Sequence, residues 1–368
     1  MSMVVAGAGL PAEPAHVPFP HLSTSLRFPR ERSCTMSTRT TAHSAWRRAL
    51  LALIATSATL AAPTLPAVAA PAHTPPAHNR EGDGRTITVN GSRAFPESVA
   101  ADRHYVYTAS IADGTVYRGR PGAKTLNPFL PGGQDGRTQA TGIKTTGNRL
   151  LVAGAFTGRF FVYTNTGKLV SSYTVADTGE PTLVNDATVT PDGDVYITDS
   201  FRAVVYRIPA AEVNAPATGA HRALEVAYRL PDYVAGQSNG NGIVTTPDGK
   251  SLIIGYWYSG ALYRLTLATG EIHKIAAPAL AGADGITRQG NTLYVARSVN
   301  NEVDVVRLSG DATRADVLSA RTFPGADTTT GVAVRQDQLL VTNSQMDTFL
   351  YGDPLTSPVF TLESLPLR

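Results

Sequence analysis

Apolar and polar positions alternate from Asn185 to Val189, break at Pro191-Asp192-Gly193, and resume from Val195 to Thr198. This pattern predicts a β-hairpin: proline fixes φ at the first turn position and glycine supplies the positive φ that reverses the chain. The same line is written six times. Its first residues are Glu97, Thr141, Asn185, Asn241, Asp284 and Thr330, with steps of 44, 44, 56, 43 and 46. A period of this size belongs to four-stranded propeller blades, which repeat about every 40–50 residues.

Each repeat continues with a turn and a third strand that often ends in an aromatic residue or an arginine. Thr115-Val116-Tyr117-Arg118, Val204-Val205-Tyr206-Arg207, Ala261-Leu262-Tyr263-Arg264 and Asp304-Val305-Val306-Arg307 are examples. A less regular outer strand completes each unit, and stacked units bury their apolar faces against one another. The expected fold is all-β, a six-bladed propeller over residues 85–368. The longest step holds an insertion around Pro209 to Gly240, either a lid or decoration. Closing the ring needs a strand from each chain end. Ile87-Thr88-Val89 and Val359-Phe360-Thr361-Leu362 are the two candidates, and their order is open.

The N-terminal part reads differently. Arg39, Arg47 and Arg48 precede a 14-residue apolar run, Ala49 to Ala62, and Ala67-Val68-Ala69 follows as a small-residue cleavage signature. The run is short for a membrane span, which takes about 20 residues. Residues 1–69 are therefore expected to be a leader and signal peptide, with Met36 the true start and either Sec or twin-arginine export. Residues 70–84, rich in proline, histidine and charge, are expected to form a flexible linker.

That division changes the charge argument. The leader holds six of the 32 Lys and Arg and two of the 29 Asp and Glu, leaving 26 against 27, a net charge near −1. The apparent basicity belongs to the signal, so nothing argues for a nucleic-acid partner or an anionic membrane. The one cysteine, Cys34, leaves with the leader. The mature chain is expected to be a secreted monomer without disulfides or a membrane span, acting on a small-molecule substrate or ligand.

Chemistry is sought where the repeats converge. The first residue of each repeat opens the innermost strand, so the six openers ring one end of the central channel. All six carry side-chain oxygens, and none is lysine, arginine or histidine. Two carboxylates converging there raise one another's pKa unless a cation neutralises them. Glu97, Asn185, Asn241 and Asp284, with waters, suit Ca²⁺; Mg²⁺ or Mn²⁺ also fit, whereas the lack of His and Cys donors argues against zinc, copper or a redox centre. No nucleophile elbow, Walker loop, dinucleotide fingerprint or paired-cysteine motif occurs in a supporting context.

The arrangement resembles the SMP-30/gluconolactonase/LRE-like family of six-bladed propellers, which includes regucalcin-type lactonases and is similar to squid-type phosphotriesterases. Pro96-Glu97, Val184-Asn185-Asp186, Asn239-Gly240-Asn241-Gly242 with Thr246-Pro247-Asp248-Gly249, and Ala283-Asp284-Gly285 carry the likeness. It implies Glu97, Asn185, Asn241 and Asp284 as metal ligands. Two family features are absent: Ser98-Val99-Ala100 replaces Gly-Pro-x-Trp, and Leu183 stands where the substrate-binding arginine is expected.

Strand direction places the turns between second and third strands on the same rim as the openers. There Tyr256, Trp257 and Tyr258 are candidates to wall an apolar pocket, and Arg202 or Arg297 to pair with a carboxylate product. Asp186, turned away by strand alternation, is expected to orient the ligand shell. The resulting expectation is a secreted divalent-metal-dependent hydrolase of the lactonase or esterase type, with Asp284 or Glu97 as base. The alternative is a non-catalytic propeller that binds a small ligand or a protein around a structural Ca²⁺.

Overall fold

The Thr-Pro-Asp-Gly turns form as their residues dictate. The Thr190 hydroxyl bonds the Asp192 carboxylate, Gly193 N donates to Thr190 O at 2.9 Å, and Gly193 has φ 93. The fourth repeat copies this: Thr246 Oγ1 donates to Asp248 Oδ1 at 2.6 Å, and Gly249 has φ 70. The computed structural model describes residues 85–367. The expected signal peptide and linker lie outside the described residues.

Strands group into consecutive four-stranded antiparallel units. The first is β2 (Pro96–Ala101), β3 (Val106–Ser110), β4 (Val116–Gly119) and β5 (Thr125–Leu130). Later units open with β6 (Ile143–Thr146), β10 (Val184–Val189), β14 (Gly240–Thr245), β18 (Ala283–Gln289) and β22 (Val332–Arg335). Each opening strand touches the next, and β22 returns to β2, so the opening strands form a closed ring. No helix among the described residues is long and apolar enough to cross a membrane.

Packing follows the same order. Leu151, Phe160 and Val162 meet Val184, Ile197 and Tyr206 in one buried cluster shared by the second and third units. Ile253 and Leu262 meet Ile286, Leu293 and Val295 in the same way. The cluster between the last and first units joins Leu340, Phe360 and Leu362 to Val99 and Val106. Inner strands are buried along nearly their whole length, as in β10 and in β11 (Val195–Asp199), because they face a neighbouring unit on each side. The outer strand β13 (Ala220–Arg229) instead alternates toward solvent.

The order of the terminal strands is settled. β1 (Arg85–Val89) pairs antiparallel with β24 (Phe360–Pro366) and parallel with β5, so the N-terminal strand is the outer one. The long insertion divides into a short helix (Ala210–Val213), an extended β13 paired in parallel with β9 (Leu169–Val175), and a connection over 230–239. Only that connection reaches the face where the openers sit.

Candidate functional site at the axial ring

A β-bulge marks four openers. The ladder between first and second strands shifts register between Pro96 and Ser98, Val184 and Ala187, Gly240 and Ile243, and Ala283 and Ile286. β6 and β22, which follow Thr141 and Thr330, pair without such a shift. A bulge releases a residue from the ladder and re-aims its side chain. The four bulged repeats are those carrying Glu97, Asn185, Asn241 and Asp284.

The two threonines serve the frame. Thr141 Oγ1 donates to Val184 O at 2.9 Å and to Asn185 O at 3.0 Å, and Thr330 Oγ1 donates to Glu97 O at 2.5 Å. Their hydroxyls lock one opening strand to the next. Close approach also demands glycine: a Cβ on Gly331 would lie 2.7 Å from Ser98 Cα and 2.8 Å from Glu97 O.

Glu97, Asn185, Asn241 and Asp284 are 5%, 4%, 4% and 2% exposed. Burial pushes the Glu97 carboxyl well above the usual range, the nearby Asp284 and Asp186 charges push it further, and Lys144 opposes them. Burial also raises Asp284, to about 7, against hydrogen bonds from Ser298 and Asn241 that favour its ionised form. Asp186 adds to that rise. A bulge defeats the alternation argument for Asp186: it lies near enough to Glu97 and Asp284 to perturb both. Its Oδ1 takes the Lys144 ammonium at 3.2 Å, and its Oδ2 is buried without a hydrogen-bond partner.

This donor set fits a hard divalent cation. Asn241 Oδ1 is buried with no hydrogen-bond partner, and an unsatisfied amide oxygen beside the desolvated Asp284 carboxylate is the environment a Ca²⁺-like ion completes. Among the described residues no group of three or more His, Cys, Asp or Glu has metal-holding geometry. Any site on this ring therefore depends on the amide oxygens of Asn185 and Asn241. Asn185 Nδ2 donates to Ser200 Oγ at 3.0 Å, and Ser200 Oγ donates to Gly240 O at 2.9 Å, fixing that amide.

The rim candidates divide. Trp257 is linked to the ring: its Nε1 donates to Ser298 Oγ at 2.8 Å, and Ser298 bonds Asp284. Tyr256 is 1% exposed and packs in the core between the third and fourth units, its hydroxyl donating to Pro231 O at 2.6 Å. The Arg202 guanidinium donates to Ala176 O and Glu180 O, both at 2.8 Å. Arg297 pairs with Asp304 at 3.1 Å and Glu302 at 3.3 Å. Both arginines thus brace the rim itself. Cavities of about 320 and 690 Å³ lie elsewhere, one around Arg264 and His273, the other around Asp194, Arg207 and Tyr228 on the face opposite the ring.

Sequence reasoning missed Lys144, Ser200, Ser298 and Asp199. Ser200 and Ser298 each follow the residue paired with the start of a bulged strand, Asp199 and Arg297, so aligning the second strands as well as the first exposes them. Asp199 is fully buried; its Oδ1 accepts from Leu183 N at 2.9 Å and Phe201 N at 3.1 Å, which fixes the loops beside Asn185.

No protein-family model matches the chain, and no curated protein matches its sequence. Solved structures share its fold. The Malassezia sympodialis allergen Mala s 1 is 16% identical, with 77% of this chain and 96% of that one covered and a TM-score of 0.56. A gluconolactonase from Xanthomonas campestris is 18% identical, with 80% and 95% covered and a TM-score of 0.55. The calcium-binding protein regucalcin from Agrobacterium tumefaciens is 18% identical, with 77% and 97% covered and a TM-score of 0.52. The chain shares the β-propeller fold of these proteins.

Proposed function

We propose that this chain is a divalent-metal-dependent hydrolase of lactones or esters, a six-bladed propeller of the SMP-30/gluconolactonase/LRE-like type. Counting each four-stranded unit as one blade, with β1 completing the last, supports the six-bladed reading. The carrying observation is the axial ring itself: Glu97 and Asp284 are both desolvated, the Asp284 charge pushes Glu97 up, and the Asn241 amide that bonds Asp284 carries an orphaned buried oxygen. Gluconolactonase and regucalcin among the structural neighbours support the same reading.

Glu97, Asn185, Asn241 and Asp284 hold the ion, Ca²⁺ or else Mg²⁺ or Mn²⁺. When bound, it supplies Lewis-acid polarisation of a carbonyl oxygen. Asp284 or Glu97 accepts the proton of the attacking water, and the ester or lactone opens to a hydroxyl and a carboxylate. Ser298 orients the Asp284 carboxylate, Ser200 orients the Asn185 amide, and Asp186 with Lys144 sets the charge beside Glu97. Export with removal of residues 1–69 belongs to the same proposal.

The test combines calorimetry with turnover. Chelator-stripped protein is expected to bind one divalent ion per chain and to recover lactone or ester hydrolysis on reloading. Glu97→Gln and Asp284→Asn should each lower kcat about a hundredfold or more, about 2.7 kcal/mol of barrier, with the fold intact. Wild-type cation affinity in Asp284→Asn would sink the site. Hydrolysis of no lactone, ester or phosphotriester by loaded protein would leave the ligand-binding propeller instead.

A further inference from the structure

The two faces of the ring of units differ in kind. Apart from the 209–219 segment with its short helix, turns on the face away from the openers include short polar ones such as Thr190-Pro191-Asp192-Gly193, Ala268-Thr269-Gly270-Glu271 and Gln289-Gly290-Asn291. Exposed large apolar side chains among the described residues avoid that face. Val226 and Leu318 stand on outer strands, and every other one lies on a connection at the openers' face. Tyr351 is 73% exposed, Tyr233 50%, Tyr258 47% and Val299 44%.

These connections form one arc. Tyr258 N donates to Ser238 O at 3.0 Å, Gly282 N to Trp257 O at 2.8 Å, Ser298 N to Gly282 O at 3.1 Å, and Gln345 N to Asp327 O at 3.1 Å. Asn301 Oδ1 accepts from Thr328 N at 2.9 Å and closes the gap between the last two. On the other side of the mouth, the Phe156 and Phe201 rings meet at a tilt with centroids 5.8 Å apart and pack in the cluster that holds Leu183. Two cationic side chains of this face, Arg202 and Arg297, are held by backbone carbonyls and carboxylates. Oxygen donors thus sit at the floor, and most of the exposed large apolar side chains stand on connections of the same face.

A polyhydroxylated substrate loses water at each hydroxyl and needs a polar partner for each. An alkyl or aryl body gains from the same rim in proportion to the area it covers. We infer that the mouth takes a substrate with an oxygen-bearing head and an apolar body: an alkyl- or aryl-substituted lactone or ester, in preference to a sugar lactone. This rests on the hydrolase reading for the head group and on the rim alone for the body.

Trp257 makes the two separable. It and Trp46 are the only tryptophans, so fluorescence that disappears in Trp257→Phe reports on the mouth. The full-length, Ca²⁺-loaded chain is titrated with γ-lactones of increasing n-alkyl chain and with glucono-δ-lactone, following emission and product together. Affinity should rise about two- to fourfold per added methylene, with the sugar lactone weakest. The double variant Tyr258→Ser/Tyr351→Ser should flatten that rise while calorimetric Ca²⁺ affinity stays at the wild-type value. A flat series, tighter binding of glucono-δ-lactone, or no binding of either overturns the inference. Binding to phosphatidylcholine vesicles that alkyl lactones do not displace also overturns it, in favour of a lipid-facing rim. Steep chain-length dependence without turnover upholds the apolar site and defeats the hydrolase reading.

Discussion

Asp284 accepts hydrogen bonds from Ser298 and Asn241, and each favours its ionised form, yet its pKa stands at about 7. Desolvation outweighs both, and the Asp186 charge adds to it. The unfolded chain titrates this group near 3.8. Between those values the folded protein holds a proton that the unfolded chain has released. The contribution of Asp284 to stability is therefore greatest at the acid end and falls as pH rises from about 4 to about 7. Glu97, also raised, acts with the same sign. A bound divalent cation removes the penalty by stabilising the ionised forms, and its own binding releases protons. Added Ca²⁺ is expected to raise the melting temperature little at about pH 5 and progressively more toward about pH 8. Thermal melts with and without Ca²⁺ across that range check it. An equal increment at both ends would show that neither carboxylate lies at the ion.

Among the elements, the connection from β5 to β6 shows how a polar-looking stretch can hold two units together. Pro131-Gly132-Gly133-Gln134-Asp135-Gly136-Arg137 reads as a plain loop. Arg137 is nonetheless fully buried. Its Nε donates to Gly114 O at 2.7 Å, its second terminal nitrogen to Leu130 O at 3.2 Å and Pro131 O at 3.0 Å, and its first to the Tyr163 hydroxyl. Arg137→Ala leaves buried carbonyls and a phenol without their donor, and is expected to cost about 3 kcal/mol or more, read as a lower urea midpoint. A loss below about 1 kcal/mol would mean that water replaces the guanidinium. The hairpins were legible because turn chemistry and alternation are local, and the openers because a period near 44 aligns them. Bulges are not legible that way, since an extra unpaired residue leaves no mark on composition. Alternation accordingly turned Asp186 away from Glu97, whereas the bulged strand keeps the two electrostatically coupled. Arg202 and Arg297 looked available for the same reason: their partners, Ala176 and Glu180 for one, Asp304 for the other, are set by loop and strand packing.

For the whole molecule, stability rests on closing the ring with a strand from the far end of the chain. β1 pairs with β24 over Arg85↔Ser364 to Val89↔Phe360, and with β5 through Thr88↔Thr125 and Val89↔Leu126. Ile87 and Val89 are 5% and 2% exposed in the cluster shared by the last and first units. Burying two such side chains is worth about 1.5–3 kcal/mol each. Their loss also uncovers Phe360 and Leu362 and leaves β24 as an unpaired edge open to intermolecular pairing. Deleting residues 1–84 should therefore leave the melting temperature unchanged, because β1 is kept. Deleting 1–90 should lower it and make unfolding concentration-dependent through aggregation. Ile87→Ala with Val89→Ala should fall between the two, since the ladder to β24 survives while most of the buried apolar volume is lost. Scanning calorimetry at two protein concentrations distinguishes the three chains. Identical melting of the 1–84 and 1–90 deletions would mean that β22 to β24 close the ring without the N-terminal strand.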